Sequence, residues 1–187
     1  EVFQVKEKYG KFPVEYLVAN GLPNGSQLVH LGWVTSWELD LLKSASAFPT
    51  YCPTSSMKLA TAGTFPLYEA TVKGLKVVLG TDGPASNNSL DMFREMKNAV
   101  LQQRQNYWDM RVKAIDAFRS ATVYGYELIG VRGGLIREGY VADLTLLDGD
   151  QLYPFRPERL YSHIVYYATG ELVKGVIVNG RIVDKKH

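Results

Sequence analysis

A chain of 187 residues with 46% hydrophobic and 21% charged residues has the composition of an ordinary soluble domain, long enough to bury a core. Its net charge of +2 is small and dispersed, which points to neither nucleic acid nor a membrane surface as a partner. A single cysteine, Cys52, excludes an internal disulfide framework and suits a reducing cytosol, so a cytoplasmic location is expected. No apolar run approaches the roughly 20 residues of a membrane span, and the opening EVFQVKEKYG has no signal-peptide pattern. The chain begins without Met inside what reads as a charged helix, so a piece of a longer polypeptide is expected. His187, after two lysines, is either native or the first residue of a tag.

In chain order, residues 2–20 read as helix broken at Tyr9-Gly10, with Pro13 opening a second segment whose stripe is Val14, Leu17 and Val18. Gln27–Val34, QLVHLGWV, is predicted as a strand. Thr35 and Glu38 then form a capping box for a helix with Trp37, Leu41, Leu42 and Ala45 on its apolar side. Phe48–Cys52 is a second short strand stopped by Pro53, and residues 54–64 read as a long loop. A helix over Leu67–Lys73 leads to a third strand at Lys76–Thr81. Asn88 or Ser89 caps a helix from Leu90 to about Gln105. Its stripe is Leu90, Phe93, Met96, Val100 and Leu101, with Arg94, Lys97 and Arg104 toward water. Three strand-helix units in succession predict a parallel sheet.

Residues 106–130 read as two further helices with Ile115, Phe118, Ala121 and Tyr124 inward. Beyond Gly133 the period changes from helical to two-residue: Val141–Leu147 alternates, and Val176–Val183 reads as a hairpin around Asn179-Gly180. A boundary is therefore expected near Arg132, giving a first part over residues 1–132 and a second over 133–187.

The stretch KVVLGTDGPASNNSLDM, residues 76–92, places Thr81 and Asp82 at the carboxyl end of a buried strand, where chemistry collects in parallel α/β folds. An Asp-Gly pair after a strand is also an ordinary turn, so two readings of Asp82 stand. His30, near the end of an apolar strand, is either a packed, hydrogen-bonded core residue or a site residue. Asn87 and Asn88 read as braces of the Asp82 loop, with Asn87 also a candidate substrate contact. Cys52 reads as a buried structural thiol, Lys58 as solvated and His163 as structural. No Walker or GxGxxG pattern accompanies the glycines around Asp82.

GTDGPASNNSLDMFREMK resembles the last barrel strand of the amidohydrolase superfamily, in the branch of S-adenosylhomocysteine and methylthioadenosine deaminases, guanine and cytosine deaminases and triazine chlorohydrolases. Residues 51–59, YCPTSSMKL, are similar to that family's seventh-strand text, with Tyr51 where His is common and Ser56 where Asn is common. ATVYGYELIG, GGLIREGYVADLTLLD and GVIVNGRIVD are similar to the segment that leaves the barrel for a small β-sandwich. The resemblance implies an α/β fold comprising the closing part of a (β/α)8 TIM-type barrel, about three βα units, followed by a β-rich segment of a composite sandwich. It also implies metal-dependent hydrolysis that removes an amine or chloride from a purine-, pyrimidine- or triazine-like ring.

Under that resemblance Asp82 binds one divalent metal ion, usually zinc and sometimes iron, and takes part in proton transfer. His30 stands near the metal and orients substrate or water, while Tyr51 and Asn87 are candidate substrate contacts. Expected partners are a small heterocyclic amine substrate and the missing N-terminal half of the same enzyme, or another copy in a homo-oligomer. The alternative is a catalytically incomplete fragment that acts only as a self-associating or partner-binding domain. A catalytic zinc needs about three protein ligands, and the His-x-His pair and further His of the family's earlier strands are not in this sequence.

Overall fold

The computed structural model describes residues 1–61, 63–152 and 154–185; His187 lies outside them. Three short strands, β1 (Gln27–Val29), β2 (Phe48–Tyr51) and β3 (Val78–Leu79), form a parallel sheet in the order β1-β2-β3. Its register pairs Gln27 with Phe48 and Thr50 with Val78. Helices α1 (Val2–Tyr9) and α2 (Pro13–Ala19) precede β1, and α3 (Ser36–Ser44) joins β1 to β2. Helices α4 (Pro53–Lys58) and α5 (Leu67–Val72) join β2 to β3. After β3 come a single turn, α6 (Pro84–Asn87), and the 16-residue α7 (Met92–Tyr107). Parallel neighbours need a crossover, and here each crossover is helical. The expected α/β class and parallel pairing are therefore present.

Leu39, Leu42, Leu67, Ala70, Val77, Ala99, Val100 and Ala117 are fully buried in one continuous apolar core beside the sheet. Alternation along β2 sorts its side chains to opposite faces. Thr50 and Cys52 face Gly80 on the neighbouring strand, where an added Cβ would meet Thr50 Cγ2 at 3.2 Å and Cys52 Sγ at 3.3 Å. Tyr51 points the other way, into the helix layer, and its hydroxyl donates to Gln102 Oε1 on α7.

Helices α8 (Ala114–Ala121) and α9 (Val123–Leu128) follow α7. The chain then builds a three-stranded antiparallel sheet from β4 (Leu144–Leu147), β5 (Val173–Val178) and β6 (Arg181–Lys185). The Asn179-Gly180 hairpin is present, with φ of 49° and 76° at its two central residues, the left-handed pair a tight hairpin turn requires. Between β4 and β5 a helical stretch, α10 (Leu160–Ser162) continuing through a wider turn at His163–Tyr167, returns to α7 and α8. Val165 is fully buried in the first core, so residues beyond 132 complete the packing of those before it. Asp143 ties the two parts together. It accepts from the Tyr126 hydroxyl on α9 and from Asn179 N at 2.6 Å. Burial and this partner push the Tyr126 phenol up to about 12.

Several expectations change. The strand expected over Gln27–Val34 stops at Val29 because His30 and Leu31 turn left-handed, at φ 71° and 52°. The loop expected over residues 54–64 opens as α4, with Pro53 in its first turn. Helix α7 starts at Met92 with Asp91 as its cap, the carboxylate accepting from Phe93 N at 2.9 Å, while Asn88 closes α6 instead. Leu90, Leu101 and Trp37 are exposed. The buried face of α7 is Glu95, Met96, Ala99, Val100 and Gln103, and Arg104 lies half-buried over the Tyr166 ring at 5.5 Å. No helix among the described residues is long and apolar enough to cross a membrane.

Glu38 is only 1% exposed, and its carboxylate accepts three hydrogen bonds: Val14 N at 3.0 Å, Thr35 N at 3.0 Å and Thr35 Oγ1 at 2.9 Å. It caps α3 and anchors the start of α2 at once. Removing it strips a buried N–H of its acceptor, so Glu38→Ala is expected to lower unfolding free energy by roughly 2–4 kcal/mol, with Glu38→Gln costing less. Urea titration monitored by tryptophan fluorescence checks this.

Candidate active site

The three strand tips of the parallel sheet converge. His30 follows β1, Ser55 lies in the first turn of α4 after β2, and Asp82 follows β3. Asp82 adopts φ 61°, a conformation open to Asp at modest cost because its short side chain bonds locally. Its Oδ1 accepts from Gly83 N at 2.8 Å and its Oδ2 from Ser55 Oγ at 2.6 Å. His30 Nε2 stands 3.9 Å from the same Oδ2. His30 keeps its own backbone on β2, donating from N to Thr50 O at 2.9 Å, so the left-handed turn aims the imidazole without detaching the strand. Three non-glycine residues in left-handed backbone at the tips of β1 and β3, the strands on either side of β2, is the kind of local strain that gathers at functional sites.

The electrostatics favour the ionised carboxylate. The Ser55 hydroxyl, then the Ser86 hydroxyl and the Gly83 amide, hold Asp82 below the usual carboxylate range, with a smaller contribution from His30. Cys52, by contrast, is pushed up to about 12, first by burial and then by the negative charges of Asp82 and Glu95. It is a buried, protonated thiol and no nucleophile.

Asn87 is buried. Its Nδ2 donates to Thr81 O at 2.7 Å and to Glu95 Oε1 at 2.8 Å, so the structure places it beneath the Asp82 turn as a brace. Tyr51, expected at the substrate, is 1% exposed and faces α7; burial raises its phenol, and the ring lies among core side chains. The reason is the strand's alternation: Thr50 and Cys52 occupy the opposite face, which leaves Tyr51 the helix side. Lys58 is not simply solvated. Its Nζ donates to Ala85 O at 2.8 Å and to Asn88 Oδ1, tying α4 to α6. His163 lies away from the three tips, in the turn that returns to α7.

Sequence reasoning missed Ser55, Lys58 and Glu95 as parts of this assembly. Pro53 opening a helix was the available signal for Ser55. For Glu95 it was position: it neighbours Met96 and stands four residues before Ala99 and eight before Gln103, on the buried stripe.

A divalent cation fits here only in part. Asp82 offers an ionised, partly exposed carboxylate with a histidine beside it. Among the described residues, however, no group of three or more His, Cys, Asp or Glu side chains is placed to hold a metal ion. A catalytic zinc takes about three protein ligands, more than the described residues offer here.

Known proteins share this arrangement of sequence. The profile described as the amidohydrolase family matches residues 1–183. A 5'-deoxyadenosine deaminase from Methanothermobacter thermautotrophicus is 41% identical over 187 residues, covering 98% of this chain and 43% of that protein. A 5-methylthioadenosine/S-adenosylhomocysteine deaminase from Pyrococcus furiosus is 40% identical over 185 residues, covering 98% and 44%. Among solved structures, an adenosine deaminase from Xanthomonas campestris with bound zinc superposes with a TM-score of 0.90 at 31% identity, over 97% of this chain and 42% of that one. The chain thus spans under half the length of the relatives it matches.

Removing the Ser55 hydroxyl takes away the main donor to the ionised Asp82. Ser55→Ala is therefore expected to raise the Asp82 pKa toward its ordinary value. A depressed carboxylate contributes stability that is present above its unfolded pKa and is lost as pH falls through the folded one. In the variant that contribution is smaller, and its loss, starting at the same unfolded-state pKa, is complete at a higher pH than in the parent. Carbon-13 carboxyl titration by NMR, parent against variant, reads the shift.

Proposed function

The chain belongs to the amidohydrolase family, and from that premise we propose that it forms part of a metal-dependent deaminase releasing the ring amine of an adenosine-type nucleoside. The observation that carries the reading is the meeting of three strand tips on one carboxylate: Ser55 Oγ at 2.6 Å and His30 Nε2 at 3.9 Å from Asp82 Oδ2. Carboxyl ends of parallel strands are where sites of such folds assemble. An ionised Asp held between a hydroxyl and an imidazole suits both cation binding and proton transfer.

In this reading the parallel sheet is the closing part of a (β/α)8 barrel, and the remaining metal ligands belong to polypeptide outside this sequence. Zinc is the preferred ion, by likeness to the zinc-bound Xanthomonas structure. What a bound divalent ion supplies is a water whose pKa falls toward neutrality. This chain's own side chains do the rest. Asp82 contributes one ligand oxygen, and Ser55 keeps the carboxylate turned to the mouth and ionised. His30 Nε2, 3.9 Å from Asp82 Oδ2, meets the substrate or the attacking water. Cys52 stays protonated and takes no part. Amine release is favoured over chloride release because the relatives at about 40% identity bear deaminase names.

In the complete protein containing this chain, Asp82→Asn is expected to lower kcat/KM on 5'-deoxyadenosine by about 10²-fold or more, the scale of a lost acid–base group, with thermal midpoint little changed. A chelator is expected to abolish turnover and added zinc to restore it. Near-normal turnover in the variant, or activity indifferent to chelation, overturns the reading.

A further inference from the structure

Glu95 is a carboxylate 1% exposed, carried on the buried face of α7, and the chemistry described above makes no use of it. Its two oxygens reach two different strand tips. Oε1 accepts from Asn87 Nδ2 at 2.8 Å, and the same Nδ2 donates to Thr81 O at 2.7 Å, the carbonyl immediately before Asp82. Oε2 accepts from Thr54 N at 3.3 Å, in the first turn of α4, immediately before Ser55. One side chain therefore holds, through Asn87 and Thr81 on one arm and through Thr54 on the other, both the carboxylate and the hydroxyl that bond to each other at 2.6 Å.

We infer that Glu95 is a positioning residue for the site: its carboxylate locks the Thr81–Asp82 turn and the first turn of α4 in register, so that Asp82 presents a fixed orientation to the cation and substrate. This rests on the function proposed above for Asp82. The chemistry demands an ionisable carboxylate rather than an amide. Asn87 Nδ2 and Thr54 N are both donors, and only a carboxylate has an acceptor oxygen for each; a glutamine would turn its NH2 toward one of them. Nor can Asn87 be reversed, since its oxygen would then face both Thr81 O and Glu95 Oε1. As placed, Asn87 Oδ1 is buried with no donor among the described residues, and the side chain keeps the orientation that serves Glu95. Asn98, one turn on, reinforces the same arm by donating from Nδ2 to Thr54 Oγ1 at 2.7 Å. Groups that orient a metal ligand from behind commonly change metal affinity or activity about 10–100-fold when altered.

The test uses the complete protein containing this chain, with Glu95→Gln as the shape-preserving variant and Glu95→Asp as the variant that keeps charge but shortens the reach. Three quantities are read: zinc affinity by chelator competition, kcat and KM on 5'-deoxyadenosine, and hydrogen exchange of the Thr54 backbone amide and the Asn87 side-chain amide. Both variants are expected to speed exchange at Thr54 and Asn87 at least about tenfold while the Gly80 amide, bonded to Tyr51 O, is unaffected. They are expected to lower kcat and zinc affinity about 10–100-fold with KM changed much less. Unchanged exchange at both sites overturns the inference whatever the activity. Faster exchange with parental kcat and zinc affinity also overturns it, leaving Glu95 as a purely structural tether. A parent protein that holds no zinc and turns over no nucleoside overturns the function proposed above instead, and the exchange rates then decide the tether alone.

Discussion

The structure depends on the buried face of α7 being half polar. Glu95, Gln103 and the half-buried Asn98 and Gln102 share that side of the helix with Met96, Ala99 and Val100, and each polar side chain meets a group between Tyr51, at the end of β2, and Leu67, at the start of α5. Gln103 accepts from Leu67 N at 3.1 Å and donates to Phe65 O at 2.7 Å; Gln102 takes the Tyr51 hydroxyl; Asn106 and Tyr107 both bond Thr64. A connecting segment buried beneath a helix would leave backbone N–H and C=O groups unpaired, at a cost of about 1–3 kcal/mol each. The amide and carboxylate side chains of α7 supply those partners at the two buried ends of the connection, around Pro53–Ser55 and Thr64–Leu67, which lets the first end deliver Ser55 to the sheet's mouth.

That arrangement explains why the site is made of strand tips rather than of one continuous motif. The strands are only two to four residues long, and each ends where the backbone leaves the extended region: at His30 and Leu31 after β1, at Pro53 after β2, at Asp82 after β3. The short strands hold the tips at sheet spacing, and the left-handed turns redirect the side chains toward one another. Electrostatically the result is graded. Donors gather around Asp82 and keep it charged, while Cys52 is kept neutral by burial and by the carboxylates near it, which outweigh a backbone hydrogen bond from Asp82.

The second sheet is joined to the first part by specific polar contacts as well as by Val165. Asp143 bonds Tyr126 on α9 and the backbone of the Asn179 turn, so one carboxylate fixes the hairpin's position against the helices. The Tyr126 ring covers Gly133, where an added Cβ would lie 2.2 Å from Tyr126 Cδ1. Gly133 is thus a packing requirement, because the ring occupies the space of a side chain, and Gly134, at φ 74°, is one because an added Cβ would lie 2.8 Å from the Thr122 carbonyl oxygen.

What the sequence determined by itself was everything carried by local pattern. The alternation of apolar runs with amphipathic helices predicted a parallel α/β sheet; Asn179-Gly180 predicted the hairpin; the text around Asp82 predicted a strand tip with a carboxylate and, by resemblance, the family. Period, turn chemistry and motif spacing are properties of neighbouring residues, so they survive without coordinates. Only the tertiary structure decided which polar residues go inward. Glu95 and Gln103 fall on the apolar stripe of α7, but which backbone groups they meet is set by the packing of distant segments, and Tyr51 looks like a mouth residue until the alternation of β2 turns it to α7. Ser55 joins Asp82 across 27 residues of chain, and His30 meets them because two residues leave the strand left-handed. Hydrogen bonds between distant segments depend on how helices pack against the sheet, and no local period encodes that.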